Sequence, residues 1–491
     1  MITQKLGSGL TLLLLSTTAC WAAPTQEEAD GIKGSIQAYI GQEEGAVTVT
    51  PAGDGYDISF DAMVYLSKVK EQGFTASFKP FVYHAVPKGD GLWQVDAKNN
   101  IDVSFGNPAN LTVDVKIPNT SFSGTFSEAI TGFLESKTTT GDMTILENIV
   151  DVNSGVTTNL AFAIKSVTSD TKAVPAADGT ADTSIEMSYQ GVTATSSTAA
   201  GQGGQPVNLT YAMPAMTYKT ATTGISNRKI LDVLAWFVAH PTREDMIRDQ
   251  ADLKLKLKAA LPVAKNMKGS MAMDALSVTT PMGVVSFDSF GFGADMNGVV
   301  KEGRFGENFS FTGLKLPAGI APPWSEGLVP SNLKLGFEVS GFDAEAPAAM
   351  FIDQMDISKP EPVLPGSEGL YMAAFAPKNT INLTIPPGEI SAGLYSLTYE
   401  GTSTISFAGL PQVNAKFRMT GMEKVIAQLQ QAATDPTAQQ GMAMLFAAKG
   451  IGKADGDAIT WDVTMSPEGK LLVNGTDLSS MMGAIAPPPQ Q

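Results

Sequence analysis

Residues able to do covalent or acid–base chemistry are scarce in this chain of 491 residues: one cysteine, Cys20, and two histidines, His84 and His240. A nucleophilic site needs a hydroxyl or thiol beside a base, and the G-x-S-x-G elbow that presents such a serine is absent. S-x-x-K spacing occurs at Ser67/Lys70, Ser226/Lys229 and Ser331/Lys334, without the K-T-G partner that would give it meaning. His84 sits within "FVYHAV". His240 precedes Pro241 at a helix end, where a partial positive charge suits the dipole. Neither belongs to an H-E-x-x-H metal motif, so both read as structural. Neighbouring acids such as Glu27/Glu28 and Glu43/Glu44 point apart and make poor acid/base pairs. No G-x-x-x-x-G-K-[ST] or G-x-G-x-x-G loop offers a nucleotide phosphate a cradle. "GDGYD" and "KADGDA" lack the ligand spacing of a calcium loop and read as turns, as does Asn474-Gly475. Met267, Met271, Met273 and Met282 cluster in sequence. Thioethers can hold Cu(I), but dispersed Met more often fills gaps in apolar faces, and that is the reading taken. No catalytic residue, cofactor or metal is expected.

Composition bounds the partner classes. The chain is 43% hydrophobic and only 17% charged, and it contains 48 glycines. Its mean hydropathy is +0.03, as for a folded protein rich in turns. A net charge of −16 repels nucleic acid phosphates and anionic lipid headgroups.

The first residues read as an export signal: Lys5, the apolar Leu10–Leu15 block, then small residues. Cleavage after Ala22 would place Cys20 and Ala22 at the −3 and −1 positions. Cleavage after Ala23 would put Pro24 next, which blocks the peptidase. Cys20 also offers a lipidation site, with Ala19 and Thr18 acceptable before it and Thr17 where leucine is usual. Beyond this leader no apolar run reaches the roughly 20 residues of a membrane-crossing helix.

The elements that must position any site are mostly strands. The expected fold is mainly β (α+β): long twisted antiparallel sheet with an N-terminal helix and two helix pairs packed on it. Residues 23–43 read as a helix started by Thr25, with Ile32, Ile36 and Ile40 at helical spacing. Over 44–222 the period becomes two. Tyr56, Ile58 and Phe60 alternate with Asp57 and Ser59, and Val113, Val115 and Ile117 alternate with Asp114 and Lys116. Residues 223–262 read as a helix pair broken at Pro241 and restarted by Thr242 and Asp245, although "LKLKLK" would also alternate as a strand. Strands resume over 263–418, where "GLYSLTYEGTSTISFAG" reads as two. A second helix pair fills 419–450, its later helix opened by Asp435-Pro436 and closed by Gly450. Residues 451–483 form a hairpin turning at Pro467 and Gly469, and 484–491 a tail that cannot pack. A membrane barrel is disfavoured by the interior helices and by a C-terminus without an aromatic end.

The stretch "LVPSNLKLGFEVSGFD", the late helix pair and the terminal W-x-V…G-K-L-L-V-N-G resemble the YdgA-like exported bacterial proteins of unknown function. Leu328–Pro330 and Leu472–Gly475 carry the likeness. The resemblance implies a Gram-negative envelope location and supplies no reaction. The expected role is non-enzymatic: a periplasmic protein, or an outer-membrane lipoprotein through Cys20, whose apolar sheet face binds an acyl chain or lipid. A scaffold holding another envelope protein is the second reading, and a hydrolase with an unrecognised site the third. Intact mass of the exported protein decides the leader's fate. A chain starting at Ala23 is expected; a diacylglyceryl-modified Cys20 at the new N-terminus would establish the anchored form.

Overall fold

Alternation of apolar and polar side chains builds nearly the whole molecule. The computed structural model describes residues 23–68, 73–199, 207–359, 366 and 368–478. It is mainly β, with 52% strand and 22% helix. Cys20 and Ala22 and the 484–491 tail lie outside the described residues. Ala23 is exposed, ahead of the first helix.

Helix α1 (Gln26–Ile40) opens with a reciprocal cap: the Thr25 hydroxyl accepts from the Glu28 amide while the Glu28 carboxylate accepts from the Thr25 amide. Ile32, Ile36 and Ile40 then pack on Val47 and Val49 of β1 (Val47–Ala52) and Tyr56 of β2 (Gly55–Phe60). After a single helical turn, α2 (Met63–Leu66), come β3 (Thr75–Phe78), β4 (Phe81–Gly89) and β5 (Leu92–Asn107). The meander continues through β6 (Leu111–Ser127), β7 (Gly132–Thr140), β8 (Met143–Val150) and three long strands: β9 (Thr157–Pro175), β10 (Ala181–Thr198) and β11 (Val207–Ile225). Neighbours pair antiparallel, with β7 and β8 sharing the span between β6 and β9.

Three helices follow at one rim: α3 (Asn227–Ala239), α4 (Arg243–Arg248) and α5 (Gln250–Ala260). "LKLKLK" is helical. Thr242 caps α4 through the Asp245 amide, and α3 ends before Pro241. Asn227 donates to the carbonyls of Ile130 and Thr131, tying α3 to the β6–β7 turn.

The sheet then resumes with β12 (Asn266–Asp274), β13 (Ser277–Thr280), β14 (Gly283–Ser286), β15 (Ser289–Asn297), β16 (Gly303–Thr312) and β17 (Asn332–Phe342). Two further helices, α6 (Glu345–Gln354) and α7 (Glu368–Phe375), interrupt the region read from sequence as strands alone. The last broad strands are β18 (Thr380–Ser391), β19 (Ser396–Ser406) and β20 (Gln412–Thr420). Strand β19 is one continuous element, where the sequence reading expected two. Its Gly401 faces β20 closely: an added Cβ would lie 3.0 Å from the Asn414 carbonyl oxygen.

Helices α8 (Met422–Gln430) and α9 (Pro436–Ile451) close the opposite rim. Asp435 caps α9, and the helix runs past Gly450 to end at Gly452. The chain finishes in β21 (Lys453–Asp455), β22 (Ala458–Met465), β23 (Leu471–Val473) and β24 (Thr476–Asp477). Gly469, with φ +79°, serves the β22–β23 turn. Among the described residues β1 pairs only with β2, so the sheet has open edges.

Two features follow from a meander this long. Cores are local: one beneath α1, the other where α8 and α9 cover Met419 and Trp461 with Val425, Ile426 and Leu429. The surface is also large. The chain exposes 29152 Å², against roughly 17,000 Å² for a compact monomer of its mass. Residues outside the described set, even fully extended, would contribute only about 8,000 Å² at ~1.45 Å² per dalton.

Gly191 keeps the apolar face continuous along β10. Ile185, Met187 and Tyr189 are partly buried before it; Val192, Ala194 and Ser196 after it are buried or partly buried, so the alternation changes phase there. Its φ of +61° permits this, and the Lys165 stem lies where a Cβ would be, 2.7 Å away.

Truncating the C-terminal core should cost what a buried aliphatic contributes. Ile426→Ala is expected to lower unfolding free energy by about 2–5 kcal/mol in a denaturant titration. Leu255→Ala, at a side chain 69% exposed, should change it by less than about 0.5 kcal/mol.

Candidate functional site

Three places gather side chains that could act on another molecule. The first is on the polar face, where register places Asp57, His84, Asp96, Ser123, Lys137 and Asp170 in one row across β2 to β9. His84 Nδ1 lies 2.8 Å from Asp57 Oδ1, and Nε2 lies 3.3 Å from Asp54 Oδ1. The Asp57 hydrogen bond raises its pKa above the ordinary value, with Asp54 adding to the effect. A concavity of about 590 Å³ beside it is lined by His84, Asp96, Lys98, Ser123 and Lys137 among others. Both ring nitrogens face carboxylates, which favours the charged imidazole and leaves each nitrogen already engaged. Lys137–Asp170 at 3.9 Å and Lys219–Glu186 at 3.0 Å continue the pattern of cross-strand charge pairs.

The second place is the α3–α4 junction. His240 stacks on Trp236 with centroids 4.1 Å apart, its Nδ1 lies 2.6 Å from the Trp236 carbonyl, and its Nε2 lies 3.1 Å from Asp249. Arg248 holds the Asp249 carboxyl below its usual range. These contacts close the C-terminus of α3 as a structural His would. Ser226 stands at the N-cap position of α3, the Ser331 hydroxyl reaches the Ser391 carbonyl, and Lys70 lies outside the described residues. No group of three His, Cys, Asp or Glu side chains able to hold a metal forms among the described residues. Met267, Met271 and Met273 line one face of β12 at alternate positions, while Met282 stands in the β13–β14 turn, 71% exposed.

The third place is the apolar face itself. Hydrogen-bond register brings Met187, Tyr218, Met271, Phe292, Phe309 and Leu335 into a row across six strands. A parallel row holds Tyr189, Met216, Met273, Phe290, Phe311 and Leu333. Rings interlock edge to face, Phe290–Phe309 at 5.0 Å and Phe287–Phe311 at 5.4 Å. Cross-strand neighbours on one face are the unit that stabilises a sheet, so the rows have a structural purpose. Yet among the described residues nothing covers their centre: Tyr218 keeps 40% of its surface exposed and Phe292 and Leu335 each keep 39%, as does Met296 nearby on β15. Helices α8 and α9 shield the face only near β19 to β22.

No family model matches the chain, and no curated protein or solved structure matches it either. No helix among the described residues is long and apolar enough to cross a membrane.

Sequence alternation identified apolar faces on single strands such as β2 and β6, and read the later region only as strands. It did not reveal which side chains meet across strands or which part stays open, because register and helix placement are non-local.

The His84 cluster should titrate. With its folded pKa above the unfolded value, its contribution to stability is full below about pH 6.5 and fades as pH rises through the higher folded value. Partial exposure keeps the effect small. Asp57→Asn should bring the imidazole pKa back toward 6.5 in an NMR titration; an unchanged titration would show that the pair does not form.

Proposed function

We propose that this chain is a non-enzymatic protein of the cell envelope that binds an acyl chain or lipid on the apolar face of its sheet. The observation carrying this reading is the open row from Met187 to Leu335. Solvated proteins rarely leave contiguous aromatic surface uncovered without an occupant for it. Six strands at about 4.8 Å make a row of roughly 24 Å, longer than the ~15 Å that one leaflet's chain spans in a bilayer core. Ten methylenes laid along it would contribute on the order of 8 kcal/mol before the cost of association. Methionine suits this task, since its flexible thioether adapts to chains of varying shape. The leader and the YdgA-like resemblance support an envelope location, and the net charge of −16 supports solubility there.

A second reading has its own observation. Leu370 and Met372 on α7 and Phe351 on α6 stand exposed at the rim, and α7 is apolar beyond Glu368 at its start, as a helix destined for contact would be. Under that reading the chain holds another envelope protein.

The two separate on binding measurements. Purified protein should raise the emission of a fluorescent fatty acid at micromolar concentration and yield lipid on solvent extraction. Phe292→Glu, placing a charge mid-row at a half-open position, should weaken the probe at least tenfold with little change in melting. An absence of both probe binding and extractable lipid would overturn the acyl-chain reading.

A further inference from the structure

The apolar face contains an ionic anomaly. Across β10 to β17 its four central rows include one charged side chain, Glu307 on β16. Register sets Glu307 between Ala294 of β15 and Phe337 of β17. Phe305 and Phe309 precede and follow it on the same face of its own strand, and the Phe305 and Phe337 rings lie 6.0 Å apart. On the opposite face of the same strands carboxylates are satisfied: Arg304 reaches both Asp295 and Glu338. Glu307 has no ion pair or hydrogen bond among the described residues.

Space adjoins it. The row runs Thr220, Gly269, Ala294, Glu307, Phe337, and a Cβ added at Gly269 would meet nothing within 4 Å. Two small residues thus leave a notch beside the carboxylate, walled by Met271 and Phe292 on one side and Met267 and Met296 on the other. A carboxylate beside an apolar notch, sharing its face with Phe305, Phe309 and Phe337, matches an organic cation. The charge pairs with the carboxylate, the phenyl faces attract it, and the attached alkyl groups tolerate the apolar walls. An anionic headgroup would be repelled.

We propose that Glu307, with Phe305, Phe309 and Phe337, is the seat for an ammonium headgroup of an amphiphile whose alkyl chain lies along the Met187–Leu335 row. This rests on the acyl-chain reading of the same face and adds the sign of the ligand's charge.

Displacement of an uncharged fluorescent probe, N-phenyl-1-naphthylamine, from the full chain, below micelle concentrations, tests it with three twelve-carbon competitors: dodecyltrimethylammonium, dodecanol and dodecanoate. The ammonium compound should displace the probe at a concentration roughly tenfold or more below that of dodecanoate. Glu307→Gln should abolish that preference without weakening dodecanol. Gly269→Leu, which fills the notch and leaves the carboxylate, should also weaken the ammonium compound. Glu135→Gln, at an outer-face carboxylate, should change nothing. Equal affinities for the three competitors that are indifferent to Glu307→Gln would overturn the seat and leave the acyl-chain reading standing. Failure of every amphiphile to bind would overturn both.

Discussion

Antiparallel pairing between successive strands is the constraint on which everything else in this molecule rests. Each strand is held by the two beside it, and the hydrogen-bond ladder forces side chains to alternate between faces. Because the described strands meander from β1 to β24 without closing, one face becomes a broad apolar surface that no second sheet among the described residues covers. Helices are gathered at the rims and ends. The large exposed area and the two separated cores are consequences of that single arrangement.

Charge is distributed to match. Cross-strand rows on the polar face pair Asp57 with His84, Lys137 with Asp170 and Glu186 with Lys219. Such pairs contribute little individually in water, but they penalise a one-residue slip, which would carry charge onto the apolar side. Phase changes within long strands are confined to places that can bear them. At Gly191 the positive φ and the overlying Lys165 stem let β10 exchange faces: the ladder skips this residue and resumes at Val192 opposite Ile164 in the same register.

Much of the fold was legible because its strands obey period two and its helices carry local signals. Thr25, Thr242 and Asp435 all act as N-caps where the sequence placed them. What escaped was non-local or lacked such signals. Helix α6 carries Pro347 in its first turn and has no side-chain cap on its N-cap residue, and α7 is too uniformly apolar to show a periodic face. Gly401 looked like a turn residue, yet its role is to admit the neighbouring backbone of β20. Gly450 looked like a helix stop, but α9 passes through it and ends at Gly452. The methionines near residue 270 looked like a cluster, whereas pairing spreads three of them along β12 and sends Met282 outward. Glu307 drew no notice in sequence, since "ENFSF" alternates acceptably. Only the registers of β15, β16 and β17 show that its carboxylate shares a face with Phe305, Phe309 and Phe337.

The open-ended ladder also sets how the molecule responds to tension. Since each strand hydrogen-bonds only to its immediate neighbours, a pull on one terminus works first against the helix-covered core at that end and then against one ladder at a time, and the ribbon peels like a zipper. Its middle strands can keep their pairing while an end comes undone.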